Sequence, residues 1–214
     1  MDFTTIMLPN FVSGSDLKKL QEEVARLKPK AYRSTSTYNV YVSEDKNLPT
    51  ATTTKGCIPD DLVSKNSILR KIYDSDLFRE FICRLQGVKR LYPYADKLSS
   101  ININYYDPGD SLEWHFDNAD FAITLLLKKC EQGGVYEYVP NTPQKSILDI
   151  LGGKIKPQSA DIQEGDLMIF RGNKSLHRVT KVEKGERVLV TLNYNEKPGI
   201  PLSEKSRMTF FGRK

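Results

Sequence analysis

Hydrophobic positions change period near the middle of the chain. Leu17, Leu20, Val24 and Leu27 recur at helical spacing behind Ser13-Gly14-Ser15-Asp16, a segment with N-cap chemistry, and so predict an amphipathic helix. A second helical stretch covers 67–73 and resumes at 75 or 76 through Leu77, Phe81, Ile82 and Leu85. Ahead of these, 4–8 reads as a short apolar strand. Residues 38–42 alternate as a strand, and 47–61, rich in Thr, Pro and Gly, reads as a long loop.

From residue 99 the pattern becomes short strands divided by turn signals: 100–106, 121–128, 135–139, 166–170, 176–182 and 187–194. One helix interrupts them, opened by Thr142-Pro143, continued by Ile147 and Ile150, and closed by Gly152-Gly153. The prediction is a mainly β fold with flanking helices, a sandwich or jelly roll, in a single domain over 1–214. In this reading 1–98 supply helical support and substrate loops, and 99–214 form the core that holds the site.

Composition narrows the class without naming a function. Hydrophobic residues at 39% and charged residues at 28% suit a soluble globular chain. The longest apolar run, 121–127, contains a threonine and falls far short of the roughly 20 residues a membrane span needs. Met1-Asp2-Phe3-Thr4-Thr5 lacks the basic region of a secretory signal, so a cytoplasmic location is expected. Cys57, Cys83 and Cys130 are odd in number and unpatterned, which favours reduced thiols over disulfides or zinc. The net charge of +5 comes from scattered lysines with no basic block, a weak footprint for nucleic acid. Nothing suggests a membrane partner, and a homodimer stays open.

Chemistry enters with the histidines, of which there are two, His115 and His177. In Trp114-His115-Phe116-Asp117 the histidine and the acid are two apart, so extended backbone projects both to one side, where they can share a metal. His177 follows a turn, in Ser175-Leu176-His177-Arg178-Val179, and Arg187 opens a strand ten residues later. Two imidazoles and one carboxylate leave coordination positions open, as iron(II) oxygenases require and structural zinc sites do not. A guanidinium fork suits the remote carboxylate of a dicarboxylate co-substrate.

With His115-x-Asp117, His177 and Arg187, the chain resembles the iron(II)/2-oxoglutarate dioxygenases. Tyr106-Asp107-Pro108-Gly109 is similar to the strand and turn before the first ligand in prolyl-hydroxylase-like members. Three further stretches, 121–127, 133–140 and 207–213, resemble a small branch acting on free amino acids, including lysine hydroxylases and halogenases. The resemblance spans 30–214. It implies a double-stranded β-helix (jelly roll, cupin-like) with Fe(II), 2-oxoglutarate and O2. His115, Asp117 and His177 would be metal ligands and catalytic residues, and Arg187, with Tyr106 or Thr124, would hold the co-substrate. It also implies that halogenases lack the iron carboxylate, so Asp117 favours hydroxylation. Oxidation of a protein side chain or nucleic-acid base, and a non-catalytic cupin-like binding module, stand as alternatives.

Strand alternation fills in the pocket. If Arg187 points inward, so do Leu189, Thr191 and Asn193, while Val188, Val190 and Leu192 pack outward. Asn102, Asn104 and Tyr106 form a second polar row, and buried amides need partners that a zwitterionic amino acid supplies. Asn118, Glu137 for an ammonium and Arg33 for a carboxylate complete the expected substrate set. Phe210 and Phe211 are expected to pack on the barrel or close the pocket.

Overall fold

The computed structural model describes residues 5–40 and 49–214. In chain order its elements are β1 (Thr5–Leu8), α1 (Gly14–Leu27), β2 (Tyr32–Asn39), β3 (Thr50–Ile58), α2 (Ile68–Asp74), α3 (Asp76–Gln86) and β4 (Ile101–Tyr106). Next come β5 (Leu112–His115), β6 (Phe121–Lys128), β7 (Gln132–Gly133), β8 (Tyr136–Val139), α4 (Ile147–Leu151) and β9 (Gln158–Ala160). The chain finishes with β10 (Leu167–Phe170), β11 (Leu176–Val179), β12 (Val182–Lys184), β13 (Arg187–Tyr194) and α5 (Glu204–Phe211).

These strands form the two facing sheets of a double-stranded β-helix. The larger has the order β1-β10-β6-β13-β4-β3-β2 and the smaller β5-β11-β8-β9, with β7 and β12 as a separate pair. Pairing is antiparallel throughout both sheets. Alternation in β6 and β13 assigns their faces. Phe121, Ile123, Leu125 and Leu127 join Val188, Val190, Leu192 and Tyr194 in a core closed by Leu20 and Val24 of α1, Leu69 and Tyr73 of α2, and Phe78 and Ile82 of α3. The opposite parity, Ala122, Leu126 and Leu189, turns between the sheets toward Tyr136, Met168, Phe170 and Val179. The sheet is thus buried on both faces, which is why β6 reads as an unbroken apolar run. Side-chain caps start α2 and α3: Ser67 accepts from Leu69 N–H and Ser75 from Phe78 N–H.

The sequence misreads the stretch before residue 99. Residues 50–58, expected as loop, form β3, which pairs along its length with β2 from Tyr32↔Cys57 to Asn39↔Thr50. Its threonines carry the β-branched preference for extended backbone, and the nearby Pro and Gly mark its ends. The expected strand at 38–42 instead begins at Tyr32, and its residues 41 and 42 lie outside the described residues, as do 4, 47 and 48. Strands β1 to β3 therefore extend the large sheet, so the first half contributes more than helical support. No described helix is long and apolar enough to cross a membrane.

Candidate active site

His115 ends β5 and His177 lies in β11, directly opposite in the antiparallel register. Their ring centroids are 4.1 Å apart. Each Nδ1 is 2.8 Å from a backbone carbonyl, that of Glu113 for His115 and that of Ser175 for His177. A carbonyl only accepts, so Nδ1 carries the proton and Nε2 keeps its lone pair for a metal. Both Nε2 atoms sit 3.5 Å from Asp117 Oδ1. Ligand atoms of all three residues lie within 4.8 Å of one another. Burial, with the neighbouring His177, pushes the His115 imidazole below its ordinary pKa and so favours the neutral, ligating form. Burial alone would raise Asp117, but the two histidines outweigh it and hold the carboxyl below the usual range.

Asp117 lies just past the end of β5, its backbone N–H donating to the Gly172 carbonyl. A Cβ at Gly172 would fall 1.8 Å from Asp117 Oδ2, so only glycine leaves room for the carboxylate. Oδ2 itself is buried without a hydrogen-bond partner.

Three more buried polar atoms are orphaned close by: Arg187 Nη1, Thr124 Oγ1 and Tyr136 OH. Arg187 is 3% exposed and, among the described residues, has no carboxylate partner. Its guanidinium lies 5.8 Å from the Tyr106 ring centroid. An uncompensated buried cation is costly, and an anionic ligand removes the cost. The residues present thus fit a divalent metal at the triad and a dicarboxylate reaching Arg187.

One cavity gathers most of the residues singled out from sequence: His115, Asp117, His177, Tyr106, Thr124, Asn104, Asn118, Thr191 and Asn193 all line it. Arg187 lines an adjoining cavity that shares Tyr136 with the first. The structure does not bring Glu137 or Arg33 to the site. Glu137 accepts from Arg178 at 2.7 Å, and Arg33 pairs with Asp107 and Asp110. Neither side chain lines the cavity, because each already has its counter-charge.

Sequence reasoning missed Tyr136, which packs 5.8 Å from the His177 ring, and Lys55, which reaches the cavity from β3. The period-two alternation of β8 gives Tyr136 a face, but nothing in it marks a buried hydroxyl without a partner. Phe210 and Phe211 line the cavity too, so the carboxyl-terminal helix α5 forms part of its wall.

The model of the halogenase D family matches residues 2–206. A curated relative, the tRNA demethylase abh1 of Schizosaccharomyces pombe, is 30% identical over 88 residues; the match takes in 40% of this chain and 26% of the relative, so the chain spans about a quarter of that protein. Among solved structures, a 2OG-Fe(II) oxygenase family oxidoreductase from Burkholderia pseudomallei superposes with TM-score 0.61 at 15% identity, covering 92% of this chain and 87% of the other. A Pseudomonas putida prolyl-4-hydroxylase gives 0.60 at 13%, covering 91% and 93%. HygX from Streptomyces hygroscopicus, with nickel, 2-oxoglutarate and hygromycin B bound, gives 0.62 at 12%, covering 94% and 86%. At such identities the likeness is one of fold.

Proposed function

Since this chain belongs to the halogenase D family, we propose that it is an iron(II)- and 2-oxoglutarate-dependent oxygenase that hydroxylates an unactivated C–H bond of a free amino acid, lysine or a similar polar one. The observation that supports this most is the intact His115-Asp117-His177 set beside the buried Arg187, which has no carboxylate partner among the described residues and whose Nη1 is unbonded.

When bound, iron, 2-oxoglutarate and dioxygen supply the oxidising power that exchanges a substrate hydrogen for hydroxyl, with succinate and carbon dioxide released. The protein's residues hold and orient. His115 and His177 turn Nε2 toward the metal position because backbone carbonyls accept from their Nδ1–H groups. Arg187 would hold the far carboxylate of the co-substrate, and the unpartnered Thr124 and Tyr136 hydroxyls would be free to donate to it. Ala122, Phe170, Val179 and Leu189 make an apolar wall that excludes water. Asn104, Thr191 and Asn193 offer amides and a hydroxyl to a zwitterion, with the exposed Asn118 at the rim.

Asp117 decides between two outcomes. A halide on the metal needs the coordination position that this carboxylate fills, so hydroxyl is the group transferred.

Anaerobic incubation with iron(II), 2-oxoglutarate, chloride and a panel of amino acids, then air and mass spectrometry, tests the reading. One panel member should gain one oxygen atom and no chlorine, and Asp117→Ala or His177→Ala should abolish the gain. If every amino acid stays unmodified while an oligonucleotide or peptide is oxidised, the substrate class is wrong. The match to a tRNA demethylase motivates a nucleic-acid base as the second reading. Binding to RNA that weakens steeply with salt would support it.

A further inference from the structure

We propose that Lys55 is the anion anchor of the substrate pocket, so the substrate is held through a carboxylate and not through a basic side chain. The inference rests on the oxygenase reading of the cavity and deepens it. Among the described residues lining that cavity, the lysine is Lys55 and the one carboxylate is Asp117, which belongs to the metal triad. Lys55 has no acidic partner among the described residues. Its Nζ donates to Asn104 Oδ1 at 2.8 Å and lies 5.5 Å from the Phe210 ring centroid.

The sheet register explains the reach. Asn104 of β4 sits opposite Cys57 of β3, and Lys55 is two residues along the same face, within diagonal range of a long side chain. An ammonium only donates, so the Asn104 carbonyl must turn to Lys55, and Nδ2 is left as that amide's remaining donor. The corner therefore presents donors and positive charge, the complement of a carboxylate. Phe210, from α5, covers the same ammonium and limits its hydration. Among the described residues no carboxylate of the cavity waits for a second ammonium, since Glu137 is spent on Arg178 and lies off the cavity. On the polar row the Asn104 and Asn102 oxygens already accept from Lys55 and Asn193, which leaves the Asn193 amide oxygen to a substrate amine.

The test compares free amino acids with their primary amides, which lose only the carboxylate charge, in wild type, Lys55→Met and Lys55→Arg. The wild type should favour the acids by about 10- to 100-fold in kcat/KM, mostly through KM, the range for losing a charge-assisted hydrogen bond. Lys55→Met should erase that preference, and Lys55→Arg should restore most of it. A second measurement needs no turnover: acylation of Lys55 by acetyl N-hydroxysuccinimide, read by mass spectrometry as a ratio to surface lysines because the ligands' own amines consume reagent, should be slowed by free acids and not by amides.

Equal oxidation of acids by wild type and Lys55→Met, or protection by acids and amides alike, overturns the anchor and leaves the hydroxylase reading standing. Protection by acids with no oxidation of any amino acid keeps the anchor and removes the proposed reaction. Absence of protection by any carboxylate overturns the anchor outright.

Discussion

Asp117 keeps its place because residue 172 has no side chain. The virtual Cβ at Gly172 sits closer to Oδ2 than any real contact allows, so Gly172→Ala must move either the carboxylate or the turn after β10. Iron affinity is expected to fall about 10- to 100-fold, the range for disturbing groups that orient a ligand, as read by anaerobic iron titration. Unchanged affinity would mean that the turn yields instead. Arg187→Met is expected to act in opposite directions on two measurements. The KM for 2-oxoglutarate should rise about 10- to 100-fold, because a charge-assisted pair is lost. The melting temperature without ligand should hold or rise, because an unpaired buried cation is lost as well. A marked drop in melting temperature would make the guanidinium structural. The grouping of His115, Asp117 and His177 was readable in the sequence because the whole chain has two histidines, while Arg187 stood out only by its place ten residues after His177. Glu137 and Arg33 misled because a charge looks available until its partner is seen, and Lys55 looked like one of many surface lysines.

At the scale of elements, the sequence showed many strands that are apolar on at least one face, as in β4, β6, β10 and β13, but not β5 or β9. It failed at β2 and β3, whose side chains are mostly polar and whose pairing depends on a partner far away in the fold. One polar cluster ties elements together. Lys28, just after α1, pairs with Asp107 in the turn after β4 at 2.6 Å and with Glu186 before β13, which Lys128 at the end of β6 also contacts at 3.0 Å. Burial raises Glu186, yet Lys28 and Lys128 together carry it below its ordinary value of 4.5. A depressed carboxyl contributes stability above its unfolded pKa and loses it as pH falls through the folded one. Glu186→Gln should therefore lower the urea midpoint at pH 7, with the gap to wild type closing below about pH 4. A gap that stays constant with pH would assign the loss to packing.

Over the whole molecule, support and chemistry are divided between the sheets. The large core lies outside, between the seven-stranded sheet and α1 to α3, while the smaller sheet carries His115 and His177 on short strands. Amide exchange without metal should be slow in β4, β6 and β13 and faster in β5, β8 and β11. Adding a non-oxidisable divalent ion should slow the second group selectively. Uniform slowing would contradict the division.

The facing of His115 and His177 across β5 and β11 has one more consequence. A strand slipped by one residue turns every side chain to the opposite face, so His177 would leave the cavity and Leu176 or Arg178 would enter it. A slipped fold would hold one imidazole and little affinity for metal. Iron therefore acts as an inspector of assembly, binding tightly only to molecules whose two short strands have met in step.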